Sequence, residues 1–326
     1  MIGYYVHHQG QGHRMRALQI ALALRAPVVG FSSLEAPEGW PGRWVMLEPD
    51  LVHEPLDPTA NGVFHWAPLE VPRHRTRLAR IVDWLTGHVD VMVVDTSAEV
   101  TLLSRLFGVR TVVVALRGDR TDRPHLTAYD AASAIIAPWN REHGEPWWPP
   151  EWEAKTVHTG AFSRFDGIES PPPSTSDVPR VLVVWGSGGD RLRDGDLAGA
   201  RRATPGWEWI LRTPEEPSPD LWRELAEADV VVTHAGDNAV AEVAAARRPA
   251  VVVAQPRPFD EQGATVGALR RAGACVALED WPSNEDWPIL LKQATSIGGQ
   301  AWRDWNPGDG ARRAAAALDR LHEEVQ

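Results

Sequence analysis

Two stretches of this chain hold residue types suited to gripping an anion and moving a proton. Residues 230–278 read VVVTHAGDNAVAEVAAARRPAVVVAQPRPFDEQGATVGALRRAGACVAL. An apolar strand over 230–233 runs into His234-Ala235-Gly236-Asp237-Asn238, which opens a helix ending near Arg247. Pro249 and a second apolar strand over 250–253 follow. Such a βαβ unit presents free backbone N–H groups and a positive dipole end at the glycine turn, and both favour an anion. His234 stands beside them as an additional hydrogen-bond donor. The chemistry this spacing points to is phosphate binding.

The second stretch is His7-His8-Gln9-Gly10-Gln11-Gly12-His13-Arg14-Met15-Arg16. Its glycines allow a tight turn directly before a helix. His13 then begins a helix at the carboxyl edge of a strand, where a neutral imidazole could accept a proton from a hydroxyl. The same position suits a capping or surface histidine. Met15 stands where a dinucleotide fingerprint would place its third glycine, so the turn does not support NAD or FAD, and no cofactor is expected. His7 and His8 read as strand-end residues. The histidines lack companion cysteines or a His-x-x-x-His face, and Asp194-Gly195-Asp196 reads as a loop or helix start, so no metal is expected.

These residues need elements to hold them. Strands are expected over 2–6, 28–31, 91–94 and 111–115, with helices over 14–24 and 97–107, the second stopped by Gly108. Asp95 ends a strand just before Thr96-Ser97-Ala98-Glu99 and reads as a helix N-cap. Residues 35–72 are rich in Pro, Gly and Trp and give no clear pattern; a helix, basic on one side, follows to residue 85. Its Arg73-His74-Arg75-Thr76-Arg77 run suits a solvated face more than an anionic acceptor or lipid headgroups. The indoles of 138–152 suit packing between loop and core, or a sugar or apolar groove.

Residues 170–179, SPPPSTSDVP, can neither continue a helix nor pair as an inner strand. They divide the chain into residues 1–165, a linker over 166–179, and residues 180–326. The second part restarts with a strand over 180–185, the turn Gly186-Ser187-Gly188-Gly189, and ends in a helix over 310–325 assigned to it. The fold class is α/β: two Rossmann-like domains with parallel sheets, facing across a cleft with the ligand at the strands' carboxyl ends.

Bulk composition agrees. The 326 residues, 43% apolar, exceed the usual size of one domain, and a net charge of −11 argues against a general nucleic-acid surface. One cysteine, Cys275, excludes an internal disulfide, and no signal-like leader or spanning-length apolar run is found. A cytoplasmic location is expected; peripheral membrane contact has no support in the sequence.

Taken together, the glycine turns resemble the GT-B glycosyltransferases, in the family 28 branch of the peptidoglycan-precursor N-acetylglucosaminyltransferase. The resemblance rests on Gly10-Gln11-Gly12-His13, on Gly160-Ala161-Phe162-Ser163-Arg164, on the Ser187 turn, on Gly236 through Glu242, and on Glu261-Gln262. It implies a metal-independent, inverting transfer from a nucleotide diphosphate sugar, UDP-linked, to a hydroxyl acceptor that is lipid-linked or a small natural product. In that resemblance His13 is the base and Asp95 orients it. Gly12, Arg164, Ser187, His234, Ala235, Gly236, Asp237 and Asn238 surround the diphosphate, Glu242 takes the ribose hydroxyls, and Glu261 and Gln262 hold the sugar. Ala239 departs from the Ser or Thr frequent at its position, and Asp237 sets a carboxylate beside a diphosphate unless it turns away. Arg16, three residues after His13, resembles instead the turn of a UDP-sugar hydrolase of the same fold. Hydrolysis is therefore the rival reading, and a non-catalytic nucleotide-binding protein a third.

Overall fold

The computed structural model describes residues 1–8, 11–169, 176–186 and 192–325. Twelve named strands occur among them: β1 (Ile2–Val6), β2 (Val28–Ser32), β3 (Arg43–Met46), β4 (Val91–Asp95), β5 (Arg110–Val114), β6 (Ala134–Ala137), β7 (Thr156–His158), β8 (Arg180–Val184), β9 (Glu208–Arg212), β10 (Val230–His234), β11 (Ala250–Val253) and β12 (Val276–Leu278). They form two sheets, ordered β3-β2-β1-β4-β5-β6-β7 and β12-β11-β10-β8-β9, in which every pairing is parallel.

Parallel strands covered on both faces need apolar residues at consecutive positions, and β1, β4 and β11 are buried along their whole length. Alternate residues supply opposite faces. Ile2, Tyr4 and Val6 pack with Ala17 and Ile20 of the helix Gln11–Ala23, whereas Tyr5, Val29 and Phe31 pack with Ile81 and Leu85 of Pro72–Leu85. The second sheet repeats this arrangement, with Val231 on one face and Val230 and Val232 on the other.

Two expectations change. The closing helix, Gly310–Glu323, was assigned to the second domain, yet Ala314 and Leu318 lie in the core with Ile2 and Ile20, and Asp319 accepts from the backbone N–H groups of Arg25 and Ala26. The helix is strongly amphipathic, and its alanine face fits closely against the Gln11–Ala23 helix. Within 35–72 the chain makes edge strand β3 and an isolated antiparallel bridge, Leu56 to Leu69. No helix among the described residues is long and apolar enough to cross a membrane.

In each sheet the strand order reverses where an opening forms. The first reversal lies at β1 and β4, whose register pairs Val6 with Asp95; the second lies at β8 and β10, which pair Val184 with Thr233. Ligands in open α/β sheets bind beyond the carboxyl ends of strands at such points. His13 and Asp95 follow the first pair, and Gly186 and His234 the second.

Candidate active site

His13 is the third residue of its helix, and its Nδ1 lies 3.0 Å from Asp95 Oδ1. Asp95 is fully buried at the end of β4. It is not the N-cap expected of it: Ser97 caps the helix Ala98–Leu106 by accepting from the Val100 N–H. Thr96, between them, has a φ of +66°, an uncommon conformation for a β-branched residue, which turns the chain sharply from strand into cap.

Arg16, one helical turn after His13, completes the group. Its Nε and Nη2 donate to Asp95 at 3.2 and 2.9 Å, and Nη2 is also 3.0 Å from His13 Nδ1. Burial, the largest single effect, would raise the Asp95 pKa, but the charges and hydrogen bonds of Arg16 and His13 together outweigh it and hold the carboxyl at about 2. Burial likewise works against the Arg16 charge, and Asp95 and Asp237 outweigh it, so the guanidinium is held more firmly than usual. With a hydrogen on Nδ1 donating to Asp95, the lone pair of His13 sits on Nε2.

Across the cleft, the helix Asp237–Ala246 begins after Gly236 with no side-chain cap. The Gly236 N–H donates to His234 Nδ1 at 3.0 Å, so this amide, expected at the diphosphate, is engaged by the neighbouring ring. Burial keeps His234 neutral, with its pKa lowered to about 4, and its hydrogen is therefore on Nε2, facing Gly186. A Cβ at Gly186 would fall 2.8 Å from Nε2, which explains the need for glycine there. Ala235 lies beneath the surface, and its N–H serves Val253 O and Gln262 Oε1.

The remaining expected residues surround these. Asp237 turns from the helix end to the Arg16 guanidinium, 3.4 Å away, and Asn238 Nδ2 donates to the carbonyl of Gly12 at 3.3 Å. Glu242 Oε1 pairs with Arg164 Nε at 2.8 Å. Glu261 Oε2 accepts from Arg120 Nη2 at 3.4 Å. Gln262 Oε1 receives both the Ala235 and Gln255 N–H groups and so ties the ends of β10 and β11 together, which leaves its NH2 for a ligand. Ser187, with Gly188 and Gly189, lies outside the described residues, as does Gly10.

Two cavities meet here. One of about 500 Å³ is lined by Gly12, Arg164, His234, Gly236, Glu242 and Gln262, together with Arg212, Thr213, Ser218 and Leu221, which the sequence did not single out. The other, about 670 Å³, is lined mainly by the first lobe, including Tyr5, Phe64, Trp66 and Arg120. His13, Leu116, Arg257 and Glu261 line both. Leu116 and Arg120 follow β5, Thr213 and Ser218 follow β9, and Arg257 follows β11, so for these the one sequence signal was position after a strand.

The basic helix divides its charges: Arg73 and Arg75 are exposed, whereas Arg77 is buried and donates to Tyr5 OH at 2.6 Å. The indoles of 138–152 serve packing, with Trp139 and Trp152 almost wholly buried. Asp194 and Asp196 fall in the first turn of the helix Asp194–Ala203, where the Asp196 carboxylate accepts from the Arg193 N–H.

Residues 218–287 match the glycosyltransferase family 28 C-terminal domain. The UDP-N-acetylglucosamine–N-acetylmuramyl-(pentapeptide) pyrophosphoryl-undecaprenol N-acetylglucosamine transferase of Solibacter usitatus is 25% identical over 205 residues, 52% of this chain and 55% of that protein. Its counterpart in Syntrophotalea carbinolica is 30% identical over 152 residues, 38% and 42% of the two chains. The chain thus spans about half the length of the curated relatives it matches. Among solved structures, the glycotransferase of kitacinnamycin superposes with a TM-score of 0.64 at 14% identity, covering 98% of both chains. Acinetobacter baumannii MurG superposes at 0.61 with 16% identity, covering 99% of both. The chain therefore has the GT-B fold of these glycosyltransferases, and its second lobe carries the family 28 C-terminal signature.

Proposed function

We propose that this protein transfers a sugar from a UDP-linked donor in the smaller cavity to a hydroxyl of an acceptor in the larger one. The observation that carries this reading is the place of His13, on the wall of both cavities and backed by the buried Asp95 carboxylate at 3.0 Å. His13 Nε2 takes the hydroxyl proton as the oxygen attacks the anomeric carbon. The bond from that carbon to the diphosphate breaks, and the nucleoside diphosphate leaves with the electron pair. One displacement of this kind inverts the anomeric centre.

Charge developing on the departing diphosphate would meet the first-turn amides of the Asp237–Ala246 helix, the His234 Nε2–H and Arg164, a preorganised positive environment that can act without a metal on the phosphates. Asp95 steadies the imidazolium. Glu242 takes the ribose hydroxyls, and Glu261 with the Gln262 NH2 takes the sugar. The acceptor is lipid-linked, as the names of the curated relatives describe for theirs, or a small natural product. The protein would work in the cytoplasm, in two domains joined through residues 166–179.

The rival is hydrolysis of the nucleotide sugar, favoured by one observation: Arg16, three residues after His13, is bonded directly into the His13–Asp95 pair. Incubating the protein with UDP-sugars, with and without alcohol acceptors, separates the readings. Transfer predicts UDP release that depends on acceptor, whereas release with water alone favours the hydrolase. A rise in melting temperature with UDP but no turnover under either condition would leave only a nucleotide-binding protein.

A further inference from the structure

The larger cavity contains a group of side chains that sugar transfer does not use. His65 Nε2 lies 3.2 Å from each carboxylate oxygen of Asp122, and His125 Nδ1 lies 2.9 and 2.8 Å from them. One ligand atom from each residue lies within 4.8 Å of the other two. All three line the larger cavity, and none lines the smaller.

We propose that His65, Asp122 and His125 form a binding site for a divalent transition cation, Zn²⁺ being best suited, on the wall of the larger cavity. Two imidazoles and one carboxylate are a three-ligand set that leaves a fourth tetrahedral position open, and here all three ligands line the cavity. At Zn–N distances of about 2.0–2.1 Å, neighbouring ligands stand roughly 3.3 Å apart. The two histidine-to-aspartate separations are already that short, so only the imidazoles need to approach, by at most about 1.5 Å.

The ligands are held from behind. The His65 N–H donates to Glu99 Oε1 at 2.7 Å, and Asp122 is the N-cap of the helix Arg123–Ala131, accepting from the His125 N–H at 2.9 Å. These contacts fix the backbone of His65 and His125, which carries the two imidazoles. Phe259 of the second lobe sets its ring edge-on to both imidazoles, with centroids at 5.7 and 4.8 Å. Arg120 opposes a cation, since its Nη1 is 3.5 Å from His125 Nε2, but its charge is partnered by Glu261.

This site stands or falls apart from sugar transfer, because its test reads only metal binding. The full chain, freed of metal by a chelator, is titrated with ZnCl2 in a calorimeter. One ion per chain is expected, with affinity reduced at least about 10- to 100-fold in His65→Ala and in Asp122→Asn. His53→Ala, at a histidine 93% exposed, should bind as the parent does. Circular dichroism spectra and ligand-free melting temperatures equal to the parent's would show that the variants are folded. An absence of saturable binding in the parent, or an unchanged affinity in both ligand variants, would overturn the proposal.

Discussion

Arg16 and Asp237, 221 residues apart in sequence, meet at 3.4 Å across the cleft. The guanidinium that grips Asp95 beside His13 thus also reaches the first residue of the helix Asp237–Ala246. A carboxylate at that helix end would otherwise repel a diphosphate, and here it is drawn toward the first lobe and partly neutralised. In the proposed reaction, the His13–Asp95 pair and the diphosphate site would share this one cation.

Replacing Arg16 should therefore damage stability before it damages chemistry. Arg16→Leu leaves the Asp95 carboxylate buried with His13 as its remaining partner, and removing one member of a buried pair costs about 3–5 kcal/mol. Urea unfolding would measure this loss. Asp95→Asn in the same background removes the stranded charge and should restore much of it. A double variant no more stable than the single one would show that the ion pair is not what Arg16 supplies.

His13→Ala and Glu242→Ala should fail differently. Loss of a positioned base costs about 100- to 10,000-fold in rate, so His13→Ala should lose turnover while keeping its affinity for UDP. Glu242 lies in the smaller cavity, where burial raises its pKa against the pull of Arg164. Its removal should weaken UDP by about 10-fold or more and narrow the preference for a ribose over a deoxyribose nucleotide, because hydrogen bonds to a charged group contribute about 1.5–3 kcal/mol. Unaltered nucleotide affinity by calorimetry would contradict the ribose contact.

Stability should fall in mildly acidic solution. Burial, the largest cause in each case, lowers His234 and His125 to about 4 and His7 to about 3, all from 6.5. Below pH 6.5 the unfolded chain therefore binds protons that the folded state does not take up until about pH 4 or lower, and stability decreases as the pH falls through that window. Asp95, lowered from 3.8 to about 2, extends the loss, since its contribution is complete above 3.8 and disappears as the pH approaches 2. Melting temperature followed against pH should show a shallower slope between 6.5 and 4 in His234→Gln. The parent's slope in that variant would refute the assignment.

The strands β1, β4, β10 and β11 were legible because parallel strands buried on both faces are written as unbroken apolar runs, and the helices after β1, β4 and β10 begin at glycine or serine turns. β7 was not, having three half-buried residues, and neither was β9, whose EWILR mixes charge with apolar side chains. His13 could be singled out from its turn. Its bond to Asp95 was expected only through the family resemblance, since spacing along the chain does not show that β1 and β4 lie side by side after an excursion through two other strands. The closing helix was assigned to the wrong lobe because chain order carries no sign of a return across the cleft. His65 and Asp122 escaped notice for a similar reason, one lying in an irregular loop and the other resembling any helix cap.

Closure of the two lobes depends on an approach that only glycine permits. Gly118 has a φ of +100°, and a Cβ there would fall 2.3 Å from the carbonyl oxygen of Phe259, beside the bond from the Asp119 N–H to that same oxygen at 2.7 Å. A methyl group would strain the backbone and push apart the loops that carry Arg120 and Glu261. Gly118→Ala should therefore bind UDP nearly as the parent does, because most residues of the smaller cavity belong to the second lobe, while turnover drops by about 100-fold as His13 moves out of line with the sugar. Small-angle scattering should show a larger radius of gyration for the variant with UDP bound. A variant as compact and as active as the parent would mean that the lobes are held together elsewhere.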